Sequence, residues 1–113
     1  MFDDVTSAAL RTALSGLSMR QRVIADNIAN IETPGFLAGR VSFEEALNSA
    51  VKAGDPSAAT PTLARSLEPT REDGNNVNLD HETLANVDTG LRYQLALRAM
   101  DSKFSLIRDV TKG

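Results

Sequence analysis

The stretch DVTSAALRTALSGLSMRQRVIADNIANIETPGF, residues 4–36, decides the fold. Within it Leu10, Leu14, Leu17, Gln21, Ile24, Ile28 and Ile31 recur at alternating spacings of four and three. That is the heptad seam of a helix wound against a partner, with one polar interruption at Gln21. Val5, Ala9, Ala13 and Gly16 add a second stripe of small residues, over which another backbone can come close. Asp3 or Asp4 is placed to cap the start and to complement the helix dipole. Thr33-Pro34-Gly35 marks the end. The residue before a proline is pushed out of the α region, and Pro-Gly suits the central positions of a type II turn. The spacing predicts a helix over about residues 4–31, roughly 42 Å long.

Proline divides the rest of the chain. All four prolines (Pro34, Pro56, Pro61, Pro69) lie between residues 34 and 69. An interior proline costs a helix about 3 kcal/mol, so long helices belong to the two ends. In the last segment Asn78 or Asp80 can cap a helix running to about Val110. Tyr93, Leu97, Met100, Phe104 and Ile107 repeat the four-three spacing there. Leu84, Leu91, Leu95 and Ala99 form a second stripe on a different face, and a helix apolar on more than one face has more than one neighbour. In the middle, Ser42-Phe43-Glu44-Glu45 has the form of a capping box, followed by Ala46, Leu47, Ala50 and Val51 at helical spacing. Gly54 closes that short helix. Residues 55–78 show no sustained periodicity and are expected to stay irregular in the isolated chain. The expectation is one mainly α domain in three parts. Residues 1–33 form an N-terminal helix, 34–79 a partly irregular centre with a short helix at about 43–53, and 80–113 a C-terminal helix.

Composition narrows function by exclusion. A net charge of −3 over 113 residues offers no basic stripe for nucleic acid. With no cysteine there is no disulfide framework, thiolate metal site or cysteine nucleophile. His81 is the single histidine, unaccompanied by a framed nucleophile or a second metal-ligand histidine. It reads as an exposed residue in the first turn of the last helix. Asp73-Gly74-Asn75-Asn76-Val77-Asn78-Leu79-Asp80 is rich in oxygen ligands but lacks the alternating spacing and sixth-position glycine of an EF-hand, and reads as a turn into a helix cap. Glu44 and Glu45 are adjacent on a helix, so they point apart and suit the helix dipole better than acid–base work. No catalytic, cofactor-binding or metal-binding residue is expected, and no small-molecule substrate. Met1-Phe2-Asp3-Asp4 is acidic where a secretory signal would be basic, and no run approaches the roughly 18 apolar residues of a membrane span.

Asn27-Ile28-Ala29-Asn30 and Thr33-Pro34-Gly35-Phe36 differ in kind from these features. Asn27 and Asn30 are weak helix formers that bond locally to the backbone. Beside the turn they read as a device that ends the helix at a fixed place and hydrogen-bonds the departing chain. The two runs, in this order and spacing, resemble the N-terminal signature of bacterial flagellar rod and hook proteins. The 73–80 stretch and Arg92-Tyr93-Gln94 are similar to the proximal rod members of that family. The resemblance covers well over half the chain, residues 54–71 excepted.

The resemblance implies a subunit of the basal-body rod. Its terminal helices would pair as an antiparallel coiled coil, and its copies would stack helically with other rod subunits around a channel. It implies contact with the rod's base at the membrane ring or export gate. It also implies passage through the flagellar type III export apparatus without a cleaved signal, for which Phe2 and Val5 offer a short hydrophobic export signal. A sister rod subunit is one alternative, separated by the central Gly-Asn-Asn-Val stretch. Another is a small secreted helical hairpin of the WxG type, but that requires a Trp-x-Gly turn and this chain has no Trp. An enzyme would show turnover dependent on His81 or the acidic pairs.

Overall fold

The computed structural model describes residues 4–112. Two long helices dominate it: α1 (Val5–Ala29) and α3 (Leu79–Lys112). Asp4 caps α1, its carboxylate accepting the Ser7 N–H at 2.8 Å. Asn78 caps α3 in the same way, accepting the His81 N–H at 3.1 Å. After Ala29 the chain tightens through turns. The Phe36 N–H reaches the Thr33 carbonyl and Gly35 takes φ +74, as the third residue of a type II turn requires. The two helices pack along each other and run antiparallel, since Asp4 meets Lys103 at one end and Asn27 meets Glu82 at the other.

The centre is more ordered than its sequence predicts. Strands β1 (Gly39–Ser42) and β2 (Thr62–Arg65) form an antiparallel pair in which Gly39 lies opposite Arg65 and Ser42 opposite Thr62. Between them come α2 (Glu44–Lys52) and a 3-10 turn at Pro56–Ala58, both packed on α1. Ser42 therefore belongs to β1 and does not cap α2, whose first residue follows Phe43 with no side-chain cap. Residues 55–78, expected to be irregular, carry the 3-10 turn, β2 and a loop fixed by side-chain amides.

The apolar core is small: Leu17, Val41 and Phe43, with Ala13, Met19, Val23, Leu47 and Tyr93 around them. Gly16 explains its position. A Cβ there would lie 2.6 Å from the Phe43 ring, so the glycine makes room for an aromatic from the same chain. The small-residue stripe is thus closed at Gly16 from within, not left for another backbone. The radius of gyration is 17.5 Å with extents of 65 × 25 × 14 Å. A compact domain of this length would have a radius of about 13 Å. The chain is a rod-shaped pair of helices with a small sheet and a short helix on its flank.

Candidate functional site

The motif residues converge where α1 ends and α3 begins. Asn27 is completely buried. Its amide donates to the Gly39 carbonyl at 3.0 Å, and its side-chain oxygen accepts the Gly39 N–H at 2.8 Å. Alternate residues of β1 turn their backbone groups away from β2, as an antiparallel ladder dictates. Asn27 therefore stands in for a third strand at Gly39. Two turns earlier on α1, Arg20 does the same for the Val41 carbonyl at 2.7 Å. Gly39 must be glycine to come this close, because a Cβ would meet Val23 at 2.8 Å.

The Asn27 amide also donates to both Glu82 oxygens, at 3.1 and 3.2 Å. Glu82 is fully buried, and the Arg40 guanidinium reaches it at 2.6 Å. Arg40 donates to the Gly39 carbonyl as well, while its second terminal nitrogen is buried with no hydrogen-bond partner.

Asparagines from the 73–80 stretch complete the junction. The Asn75 side chain, wholly buried, donates to the Asn30 and Thr33 carbonyls at 2.8 and 2.9 Å and accepts the Val77 N–H at 2.7 Å. Asn76 accepts the Ala38 N–H at 2.7 Å and donates to the Ser66 and Glu68 carbonyls. The Arg71 guanidinium joins the Ile31 and Val77 carbonyls. Gly74, at φ +82, sits against Gly35, whose N–H donates to the Asp73 carbonyl at 2.8 Å. Each amide offers two donors and an acceptor, so asparagine satisfies loop backbone that no regular ladder reaches. Asn30 does local work only: its side chain, half-exposed, bonds Asp26 and Thr33.

Two ion pairs hold the helices further along. Arg20 binds Glu44 at 2.7 Å, lies 4.9 Å over the Phe43 ring, and holds the Glu44 carboxyl down to about 2. Lys103 binds Asp4 at 2.7 Å and, with the Ser7 N–H, holds that carboxyl down to about 2.

Along the seam, Leu17 and Ile24 are buried, and Leu10, Leu14, Gln21, Ile28 and Ile31 are half-buried. On α3 the inward line passes through Glu82 and Thr89, both buried, and the half-buried Ala96 and Lys103, alternating with the half-buried Tyr93, Met100 and Ile107. Leu97 and Phe104 lie at its exposed edge, so at these two of the five favoured positions the line runs one residue away. Glu82, Arg40 and the Arg20–Glu44 pair carry no signal in the apolar pattern. Glu82, Thr89, Ala96 and Lys103 do stand seven apart, which is the trace they leave in the sequence. The outward stripe of α3 is open: Leu84, Leu91 and Leu95 are 72, 64 and 70% exposed. Leu95 also borders an apolar trough of about 340 Å³ between the helices, with Leu10, Leu47 and Ala99 on its walls. Of the suggested export residues, Val5 opens α1 half-exposed and Phe2 lies outside the described residues. His81 is exposed in the first turn of α3. Among the described residues no cluster of His, Asp or Glu could hold a metal ion, and no helix is long and apolar enough to cross a membrane.

A family profile described as "Flagella basal body rod protein" matches residues 9–36, which is α1 after its first turn together with the turns that follow it. The flagellar basal body rod protein FlgB of Bacillus subtilis (strain 168) is 31% identical over 92% of this chain and 91% of its own length. The FlgB protein of Aeromonas hydrophila is 34% identical, covering 89% and 88%. The chain belongs to the FlgB family of flagellar basal body rod proteins. The FlgB protein of Escherichia coli (strain K12) is 31% identical over 97% of both chains. FlgB-type similarity thus extends across the whole stapled junction and both long helices, beyond the segment the family profile matches.

Proposed function

We propose that the chain is a structural subunit of the flagellar basal-body rod. It stacks helically with copies of itself and with other rod proteins into the hollow shaft that transmits rotation. One observation carries the reading: in a chain of a rod-protein family, α3 has two apolar faces and α1 covers only one. Leu84, Leu91 and Leu95 stand out from a rod-shaped molecule at 64–72% exposure. A monomer has little reason to keep such a stripe on one helix face, whereas a neighbouring subunit's helix would bury it. The antiparallel α1–α3 pair is read as a coiled coil, supported by the seam spacing of both helices. The role is mechanical, and no step of it involves chemistry on a substrate.

The neighbours we assign are other rod subunits and the rod's base at the membrane ring or export gate. The route is the flagellar type III export apparatus, with Phe2 and Val5 as its hydrophobic signal. Replacing both by Ala should reduce secretion of the subunit, and unchanged secretion would remove that signal from the proposal.

The assembly reading is tested by Leu91→Asp combined with Leu95→Asp. Both side chains are exposed, so the purified double variant should keep wild-type helix content. Cells carrying it should not swim, and the subunit should be missing from isolated basal bodies. Normal swimming with a normally occupied rod would refute the assignment of this face.

A further inference from the structure

We infer that Glu82 sets the register of α3 on α1, and contributes to the specificity of their pairing more than to its strength. The seam itself is close to degenerate. Leu10, Leu17 and Ile24 on α1, continued by Ile31 just past its end, are seven apart, as are Leu14, Gln21 and Ile28. Tyr93, Met100 and Ile107 answer them on α3. Sliding one helix by a heptad mostly exchanges one apolar contact for another, and buried polar groups are the best-attested means of removing that freedom.

Among the described residues Glu82 is the one buried carboxylate, and its partners are Asn27 and Arg40. A slip of one heptad toward the start of α1 would carry the carboxylate to the level of Arg20, whose guanidinium already serves Glu44 and the Val41 carbonyl, and the opposite slip would carry it past the end of α1. Neither position offers Asn27 and Arg40 together, and a buried carboxylate without full partners is costly. The polar contacts further along α3 are less discriminating. Lys103–Asp4 and Arg92–Glu44 are partly exposed pairs on long side chains. The Asn75 and Asn76 amides bond the loops and the end of α1, and none of their bonds reaches α3 beyond the Val77 N–H just before it.

The pair is also a poor source of stability. A buried ion pair repays its desolvation only when its remaining protons find partners, and one Arg40 nitrogen is buried without any. What the arrangement does supply is a fixed relation between the heights of α1 and α3, and so of the stripes each presents outward. The inference concerns the single chain and holds whichever partner meets those stripes.

The absence of cysteine lets spin labels be placed cleanly. Introduced cysteines at Arg22→Cys on α1 and Asp101→Cys on α3, both exposed, would be labelled and their separation measured by pulsed EPR. The otherwise wild-type chain and Glu82→Gln, which keeps the hydrogen-bonding shape, should each give one narrow distance. Glu82→Leu should keep its helix content and gain a second population, displaced by about 5 or 10 Å for a slip of one or two turns. A single unshifted distance in folded Glu82→Leu would overturn the inference and assign the register to the loops. Loss of helix in Glu82→Leu would overturn it too, by making Glu82 a source of strength. So would a broad distribution in the wild-type background.

Discussion

Asn27→Ala and Asn30→Ala alter two asparagines of one motif, three residues apart, and should behave very differently. Removing the Asn27 side chain orphans the Gly39 N–H in a site with no access to water. It also strips two donor contacts from the buried Glu82 carboxylate, though Arg40 remains on it. An unsatisfied buried backbone donor costs about 1–3 kcal/mol, and a lost hydrogen bond to a charged group about 1.5–3 kcal/mol. Alanine returns at most about 0.7 kcal/mol of helix propensity. The net loss should be about 3–4 kcal/mol, a large part of a small domain's stability. Asn30 bonds locally and near the surface, and its carbonyl, which anchors Asn75, survives the change. Its loss should be about 1 kcal/mol or less. Urea unfolding followed by circular dichroism separates the two. With a slope of about 2 kcal/mol per molar, the midpoint should fall by roughly 1.5–2 M for Asn27→Ala and by less than about 0.5 M for Asn30→Ala. Equal, small shifts would refute the view that Asn27 replaces a strand at β1.

Three further outcomes are expected. Gly16→Ala gains about 1 kcal/mol of helix propensity but drives a methyl into the Phe43 ring at 2.6 Å, and displacing a buried aromatic outweighs that gain; thermal melting should show a lower midpoint, and a rise would contradict the packing. Asp4 and Glu44 both titrate near 2 in the fold against ordinary values of 3.8 and 4.5. The unfolded chain therefore binds more protons between those values, and the stability they supply is complete above about pH 5 and lost as pH falls toward 2; acid titration of Glu44→Gln should show a shallower loss in that window, and an identical profile would count against the pair. Leu14→Asp sets a charge in the half-buried seam and should abolish swimming, whereas His81→Ala, on the exposed first turn of α3, should leave swimming in soft agar unchanged.

The long helices are legible in the sequence because three-four spacing and caps are local signals. Asp4, Asn78 and the Thr33–Phe36 turn act within three or four residues of themselves. The sheet is not legible. Gly39–Ser42 alternates in burial over only four residues, one of them a glycine, and every residue of the equally short Thr62–Arg65 is exposed, so neither is long or apolar enough to give a strand signal. Asn27 and Asn30 can be picked out as a pair by composition, but only tertiary contacts divide their work, because the Asn27 partners lie 12 and 55 residues away. Glu82 escapes notice for a related reason. A glutamate in the first turn of a helix suits the dipole as a surface residue, and its burial depends on Asn27 and Arg40 arriving from elsewhere.

The side chains that close β1 have a consequence for how such a chain avoids the wrong polymer. A two-stranded sheet ordinarily offers two raw edges, each a template for fibrous growth. Here α1 seals one of them with Asn27 and Arg20, seven residues apart, so an incoming strand finds both Gly39 backbone groups and the Val41 carbonyl already taken. The other edge, β2, is four residues long, directly preceded by Pro61 and followed at a short distance by Pro69, so a strand pairing there has little length to grow along. Crowded copies of this chain are thereby steered away from sheet-to-sheet aggregation.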